Sequence, residues 1–386
     1  MGRLDRTKAI LRDLIAFPSV SSDSNLAIIE YAAALLTDCG AQVDLVLSPC
    51  GTKANLFATF GPMVDGGILL SGHSDVVPVA DQAWHTDPFE MVERDGRLFG
   101  RGTCDMKGFI AAVLAMAPDF GARVRDRPLH VALTYDEETG CLGARHLAQV
   151  LQEKNLTPGI AIIGEPTEMR IIEGHKGCYE YSTHFHGLEG HGSAPDLGVN
   201  AVEFAVRYVN RLLQLKDQLR GMAPVDSPFE PPWTTMNVGG LHGGVAHNVI
   251  ASKAQVDWEM RPVQISDADF VKAALRDYCQ TELLPKMRAV HPDATIELEV
   301  IGEVAGLIPT DANQARKIVS ELTGANGADL VSFGTEAGIF QALGVDVVVC
   351  GPGSIEQAHK ADEFLAIDQL SQCLTMLERL AAKLDG

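Results

Sequence analysis

The chain carries five well-separated residues of the types that bind divalent metal ions: His73, Asp105, Glu138, Glu165 and His359. Imidazole and carboxylate groups are the ligands that zinc and harder divalent cations take in proteins. Two such ions held close together polarise an amide carbonyl and convert a water molecule into a nucleophile. The five residues therefore indicate a hydrolytic site with two metal ions.

Each of these residues, taken alone, also has an ordinary structural explanation. Asp105 lies where a helix is predicted to begin, which is a common N-cap position. Glu165 lies in a predicted turn, Glu138 ends a run of three acids, and the two histidines are typical of exposed loops. What distinguishes the set is its placement. Four of the five residues follow the ends of predicted strands, and ligands bind at that edge of an open α/β sheet.

Apolar strand patterns alternate with amphipathic helix patterns in both the first and the last part of the chain. Four of the predicted strands lead toward candidate ligands, and they are Gly67–Leu70, His130–Tyr135, Gly159–Ile163 and Val345–Cys350. Such alternation is typical of α/β proteins. We predict an open, mixed but mostly parallel sheet with helices on both faces.

Between residues 177 and 302 the pattern changes to β-α-β-β-α-β. Tyr179–His186 alternates with the period of two that is typical of a strand with one solvated face. This order predicts a ferredoxin-like α+β domain inserted into the first one. We therefore predict a discontinuous metal-binding catalytic domain at residues 1–176 and 303–386, and an inserted lid or dimerisation domain at residues 177–302. A homodimer is expected to form through the inserted domain.

The composition argues against several classes of partner. The 386 residues carry a formal net charge of −20, which disfavours binding to nucleic acid or to an anionic membrane. The eight cysteines form no Cys-x-x-Cys pair, and the first residues lack the apolar core of a signal peptide. No apolar run has the length of a membrane span. A cytoplasmic protein that acts on a small molecule is the expectation.

Three motifs around the candidate ligands point to a known family. They are Gly-His73-Ser-Asp75, Gly-Arg-Gly-Thr-Cys-Asp105-Met-Lys-Gly and Asp-Glu-Glu138. With these motifs the sequence resembles the M20 family of metallopeptidases and deacylases over nearly its whole length. The resemblance implies a site for two divalent cations, with Zn²⁺ expected and Co²⁺ or Mn²⁺ as alternatives.

The resemblance also implies a role for each candidate ligand. His73 and Glu165 would hold one ion, and Glu138 and His359 would hold the other. Asp105 would bridge the two ions, and the peptide bond after it is expected to be cis. These assignments predict that the five side chains converge on one place in the fold.

Further residues receive roles from the same resemblance. Glu137 would be the general base and Asp75 would orient His73. His191, from its own chain or from a partner subunit, would stabilise the oxyanion of the reaction. Four residues would bind the substrate, and they are Asn248, Arg261, Thr335 and Gly353.

The implied reaction is hydrolysis of the amide bond of an N-acyl amino acid. N2-acetyl-L-ornithine is the substrate expected first, because the acidic protein suits its cationic side chain and Arg261 suits its carboxylate. A succinyl-diaminopimelate desuccinylase, or another deacylase or dipeptidase of the family, is the alternative. A non-catalytic oligomeric protein that binds metal is a more remote alternative, since the candidate ligands and the base are all present.

Overall fold

A computed structural model describes residues 2–384 of the chain. These residues form two compact units. The first unit comprises the residues up to His175, the segment Leu307–Val331, and the residues from Thr335 onward. The second unit comprises Lys176–Gly306 together with Ser332–Gly334. The first unit therefore contains all five candidate metal ligands.

The described residues contain seventeen strands and ten α-helices. The strands are β1 (Gln42–Leu47), β2 (Ala54–Phe60), β3 (Ile68–His73), β4 (Val92–Arg94), β5 (Arg97–Phe99), β6 (Leu129–Thr134), β7 (Ile160–Pro166), β8 (Ile172–His175), β9 (Cys178–His186), β10 (Gly190–His191), β11 (Thr235–Gly243), β12 (Val249–Ile250), β13 (Lys253–Arg261), β14 (Thr295–Val304), β15 (Asp329–Val331), β16 (Asp346–Gly351) and β17 (Phe364–Ala366). The helices are α1 (Arg3–Ile15), α2 (Leu26–Asp38), α3 (Gly108–Arg123), α4 (Leu142–Lys154), α5 (Ala201–Gly221), α6 (Ile265–Tyr278), α7 (Leu284–Arg288), α8 (Gln314–Thr323), α9 (Ala337–Gln341) and α10 (Ile367–Lys383). No helix within residues 2–384 is both long and apolar enough to cross a membrane.

The first unit is built, in its described part, on an eight-stranded sheet with the order β1-β2-β6-β3-β7-β16-β8-β15. The four central strands β6, β3, β7 and β16 run parallel to one another. β1, β2 and β6 pair antiparallel at one side, so the sheet is mixed. The α/β class predicted from the sequence is confirmed. The parallel centre places the carboxyl ends of four strands at one edge.

The central strands are apolar throughout because both faces of the sheet are covered. Every residue of β3, β6 and β7 is buried. Helix α3, also largely buried, packs between the sheet and helices α1 and α10 on one face, and α4 and α9 pack on the other. The core of this unit thus surrounds the sheet and holds its strand ends in fixed positions.

The second unit is a four-stranded antiparallel sheet with the order β11-β13-β9-β14, crossed by α5 and α6. The order along the chain is β-α-β-β-α-β, as the sequence pattern predicts. The apolar stripe of α5 packs against Tyr181 and Trp258, whose rings stack with centroids 4.5 Å apart. Asn200 caps α5 by accepting hydrogen bonds from two backbone amides of its first turn. This unit therefore has its own hydrophobic core.

Close packing between β7 and α3 leaves no room for a side chain at Gly164. A Cβ placed there would lie 2.1 Å from the Phe109 ring, whereas a Cβ at Gly159 would have its nearest neighbour at 3.5 Å. We expect Gly164→Ala to destabilise the protein by about 1–3 kcal/mol through overpacking. Gly159→Ala, the matched control, should stay within about 0.5 kcal/mol. Urea unfolding measures both values, and equal stability of the two variants would contradict this packing.

Candidate metal centre

The candidate ligands lie at the carboxyl edge of the parallel strands. His73 is the last residue of β3, paired with Thr134 at the end of β6. Glu138 follows β6, Glu165 lies within β7, and His359 lies in the loop after β16. The strand ends predicted from the sequence, Leu70 for β3 and Ile163 for β7, are too early. Pairing with the neighbouring strands carries β3 through His73 and β7 through Glu165.

Asp105 reaches the same edge from a different element. It lies in a π-helical turn, Thr103–Lys107, that leads into α3, and its own φ and ψ are not helical. The peptide bond between Asp105 and Met106 is cis, as the resemblance implied. The side chain is buried and points toward the ends of β3 and the loop after β16, where it meets two imidazoles.

Asp105 presents one carboxylate oxygen to each histidine. Its Oδ1 lies 3.0 Å from His73 Nε2, and its Oδ2 lies 3.2 Å from His359 Nε2. Glu165 Oε1 lies 3.7 Å from His73 Nε2, and Glu138 Oε2 lies 3.0 Å from His359 Nε2. The five side chains therefore form two groups, each with one histidine and one glutamate, and share Asp105.

These spacings fit the binding of divalent cations. Two ligand atoms on one tetrahedral zinc ion, each about 2.0–2.1 Å from it, are about 3.3 Å apart. Glu165 Oε1 is buried without a hydrogen-bond partner in the described part of the chain, and a buried acceptor left in this way calls for a ligand. The donor set is imidazole nitrogen and carboxylate oxygen, which suits zinc, cobalt or manganese. The residues present therefore fit two divalent ions.

The charges of the site require compensation. Burial, together with the neighbouring charges of Glu138 and Asp105 and against the opposing effect of His73, raises the pKa of Glu137 to about 8. Burial likewise raises the pKa values of Glu138 and Glu165. Several carboxyl groups packed together cannot all ionise unless positive charge is supplied. Two divalent cations would supply it.

The imidazoles hold the opposite charge in this arrangement. Hydrogen bonds to Asp105 and Glu138 raise the pKa of His359 to about 10. Burial opposes ionisation of Asp105, yet its hydrogen bonds to His359 and His73 lower its pKa below the usual range. Protonated imidazoles thus neutralise Asp105 when no other cation is present. A metal ion would displace those protons, because a ligating imidazole is neutral.

Asp75 contacts both His73 and the backbone that carries Glu137 and Glu138. Its backbone carbonyl lies 2.9 Å from His73 Nδ1, whereas its carboxylate lies 3.6 Å from that nitrogen. The carboxylate accepts hydrogen bonds from Ser21 Oγ at 2.7 Å and from the backbone amides of Glu137 and Glu138 at 3.2 and 3.4 Å. Asp75 therefore fixes the position of both glutamates. Nothing in the sequence marks Ser21 as its partner.

Two further buried glutamates near the site were not among the predicted residues. Glu336 accepts hydrogen bonds from Ser71 Oγ at 2.5 Å and from Thr134 Oγ1 at 2.8 Å, beside the ends of β3 and β6. Glu363 is buried behind Asp105 and accepts a hydrogen bond from its backbone amide at 3.0 Å. Glu336 lies in the Gly-Thr-Glu-Ala-Gly motif, which is a sequence signal, whereas Glu363 has no comparable signal.

Two of the predicted substrate-binding residues lie in the first unit. Thr335 is buried, and its Oγ1 lies 2.9 Å from His175 Nε2. Gly353 has a φ of +97°, and a Cβ there would lie 2.6 Å from Cys104 Sγ. Glycine is thus required at position 353 by both its backbone conformation and its surroundings.

The other two predicted substrate-binding residues, Asn248 and Arg261, lie in the second unit, as does His191. His191 and Asn248 are close together, because the backbone amide of Gly192 donates to the Asn248 carbonyl at 2.7 Å. The His191 side chain is exposed, and its Nδ1 lies 2.7 Å from Ser193 Oγ. Arg261 donates through Nε and Nη2 to one Glu259 oxygen at 3.1 and 2.9 Å. A substrate carboxylate bound by Arg261 would therefore compete with Glu259.

Comparisons with known proteins identify the family of the chain. The family described as peptidase family M20/M25/M40 matches residues 69–383. The chain belongs to this family, whose members are metal-dependent hydrolases.

Individual proteins are similar to this chain in sequence or in structure. Acetylornithine deacetylase of Klebsiella pneumoniae is 36% identical over 363 residues, covering 92% of this chain and 92% of that protein. The enzyme of the same name from Shigella sonnei is also 36% identical, over 364 residues and with the same coverage. Among solved structures, an M20 family metallo-carboxypeptidase from Sulfolobus solfataricus has a TM-score of 0.75 at 16% identity, covering 99% of both chains. That structure shows the likeness of the fold.

The contacts of Asp75 predict an effect on metal binding. Asp75→Asn removes the negative charge and replaces one carboxylate oxygen with an NH2 group, which would face either the amide of Glu137 or the donors of Ser21 and Glu138. We expect the affinity for Zn²⁺ to fall about 10–100-fold, as is common when the partner of a metal ligand is changed. Competition with a chromophoric chelator measures it. Asp23→Asn, the same charge change at an exposed position, should bind Zn²⁺ as the wild type does. Equal affinities in the two variants would contradict this role.

Proposed function

We propose that the protein hydrolyses the amide bond of an N-acetyl amino acid with two bound divalent cations, and that N2-acetyl-L-ornithine is its substrate. The observation that carries the proposal is the double contact of Asp105, which offers one carboxylate oxygen to the His73–Glu165 group and the other to the Glu138–His359 group. The choice of substrate is supported by 36% identity to enzymes named acetylornithine deacetylase.

Five residues would hold the two ions. His73 and Glu165 would hold one ion, Glu138 and His359 the other, and Asp105 both. When bound, the ions supply polarisation of the amide carbonyl and acidification of a water molecule. Zn²⁺ is the proposed metal, and Co²⁺ and Mn²⁺ suit the same donors.

Glu137 is the proposed general base. It belongs with His73 and Glu165 to a group whose ligand-type atoms all lie within 4.8 Å of one another. Its backbone amide is held by Asp75, and adjacent residues Glu137 and Glu138 are thereby oriented together. We propose that Glu137 accepts a proton from the attacking water and passes it to the leaving amine nitrogen. The products are acetate and the free amino acid.

Four residues are proposed to bind the substrate, and His191 is proposed to stabilise the oxyanion. The guanidinium of Arg261 suits the α-carboxylate, since its planar donors match two carboxylate oxygens. Asn248, Thr335 and Gly353 are the other proposed contacts. The homodimer through residues 177–302 stays a prediction, which sedimentation analysis can check.

Replacement of the proposed base separates catalysis from metal binding. We expect Glu137→Gln to lower kcat for N2-acetyl-L-ornithine by about 10²–10⁴-fold, which is the usual contribution of a general base. Metal content should stay at the wild-type value, because Glu137 is not among the five proposed ligands. Glu153→Gln, at an exposed position of α4, is the control and should keep wild-type turnover. Near-normal turnover of Glu137→Gln with fold and metal intact would show that another group is the base.

Metal removal and a substrate panel test the proposed reaction itself. Dialysis against a chelator should abolish hydrolysis, and Zn²⁺, Co²⁺ or Mn²⁺ should restore it. N2-acetyl-L-ornithine should have a higher kcat/KM than N-succinyl-diaminopimelate or dipeptides, because a succinyl carboxylate needs a further cation in the pocket. A preference for the succinyl substrate or a dipeptide would identify another hydrolase of the family. Bound metal without hydrolysis of any acyl amino acid would favour a non-catalytic protein.

A further inference from the structure

Glu363 is fully occupied by hydrogen bonds and is not available as a metal ligand. Its Oε1 accepts from the backbone amides of Cys104 and Asp105 at 2.8 and 3.0 Å. Its Oε2 accepts from the backbone amide of Gly102 at 2.9 Å and from Arg101 Nη1 at 2.7 Å. Four donors on two oxygens use the full geometry of an ionised carboxylate. Glu363 is therefore a rigid anchor for the loop that carries Asp105.

The anchor itself is fixed by the backbone. Glu363 directly precedes β17, which pairs with β5, and its carbonyl accepts the amide of Gly100 at 3.0 Å. The side chains of Glu363 and Arg101 are 0% and 1% exposed. A buried pair of this kind is costly unless its remaining donors and acceptors are satisfied, and here most of them are directed at the site loops. The Glu363–Arg101 pair lies between the loop that carries Asp105 and the loop that carries His359, and this position, rather than its charge, is its distinguishing feature.

Arg101 extends these hydrogen bonds to the loop that carries His359. Its Nη1 also donates to the Lys360 carbonyl at 3.3 Å, and its Nη2 donates to Gln82 Oε1 at 2.6 Å. Gln82 Nε2 in turn donates to the backbone carbonyl of His359 at 2.9 Å. A continuous set of hydrogen bonds thus runs from the amide of Asp105 to the carbonyl of His359.

His359 needs such support more than the other candidate ligands do. Its side chain is 53% exposed, whereas those of His73 and Asp105 are 1% and 7% exposed. Its φ is +62°, in the left-handed region that costs a residue other than glycine conformational energy. Packing therefore does little to fix this imidazole, and the hydrogen bonds to its loop must do so.

We propose that Glu363, Arg101 and Gln82 are positioning residues that set the spacing between Asp105 and His359 and thereby the affinity of the two-cation site. The inference rests on the proposed function only for the identity of the ligands. Glu363 acts on both cations, because it holds the loop of the shared ligand Asp105. Gln82 acts on the cation of His359 and Glu138, because it contacts the loop of His359 alone among the ligands.

Stepwise titration of the apoprotein with Zn²⁺ tests this proposal without any substrate. The wild type should show two affinities. Glu363→Gln, which turns an amide donor toward backbone donors, should weaken both by about 10–100-fold. Gln82→Met, at a half-buried position, should weaken one affinity by a similar factor and leave the other unchanged. Circular dichroism and thermal unfolding of the apoproteins report whether each variant is folded.

A matched control is available in the same unit. Glu173 pairs with Arg316 at 2.6 Å away from the site loops, so Glu173→Gln removes an ion pair but should leave both Zn²⁺ affinities unchanged. If Glu363→Gln does not fold, Gln82→Met decides the question alone. Unchanged affinities in Gln82→Met, or in folded Glu363→Gln, would overturn the proposal, and so would a wild type that binds no Zn²⁺. Two wild-type affinities without hydrolysis of any acyl amino acid would overturn the proposed function but not this inference.

Discussion

The crowding of acidic side chains at one buried edge of the sheet is the constraint on which this molecule depends. Asp105 and Glu138 lie within hydrogen-bonding distance of the imidazoles, and the carboxylates of Glu137 and Glu165 lie within 4.8 Å of His73. Their mutual repulsion would push the strand ends apart if nothing positive lay between them. The apolar strands and the buried helix α3 hold the edge together regardless. Hydrophobic packing therefore sustains an arrangement that becomes electrostatically favourable only with cations present.

Backbone groups do much of the work of arranging these side chains. The carbonyl of Asp75 orients one imidazole, and its carboxylate holds the amides of two glutamates. The amides of three residues in the Asp105 loop meet Glu363. Such contacts fix side-chain positions through the main chain, where fewer rotatable bonds lie between anchor and ligand. They make the geometry of the site a property of the loops rather than of single side chains.

The sequence predicted the α/β class, the family and the edge of the sheet at which the candidate ligands converge, because these depend on local pattern. Apolar strands followed by acids or histidines are visible in a single chain, and parallel pairing brings their ends together. The contacts of Ser21, Gln82 and Glu363 were not predictable in this way. Their partners described above lie between 19 and 277 positions away, and no period or motif links such pairs. The individual roles of the ligands, of Glu137 and of the residues in the second unit stay predictions.

The order of the strands also governs when the site can form during synthesis. β16 lies between β7 and β8 in the sheet, although those two strands are neighbours along the chain. The ribosome therefore releases His73, Asp105, Glu138 and Glu165 long before the strand that must enter the middle of their sheet. His359 and Glu363 emerge later still. A nascent chain thus holds an acidic, incomplete edge until β16, His359 and Glu363 have been made.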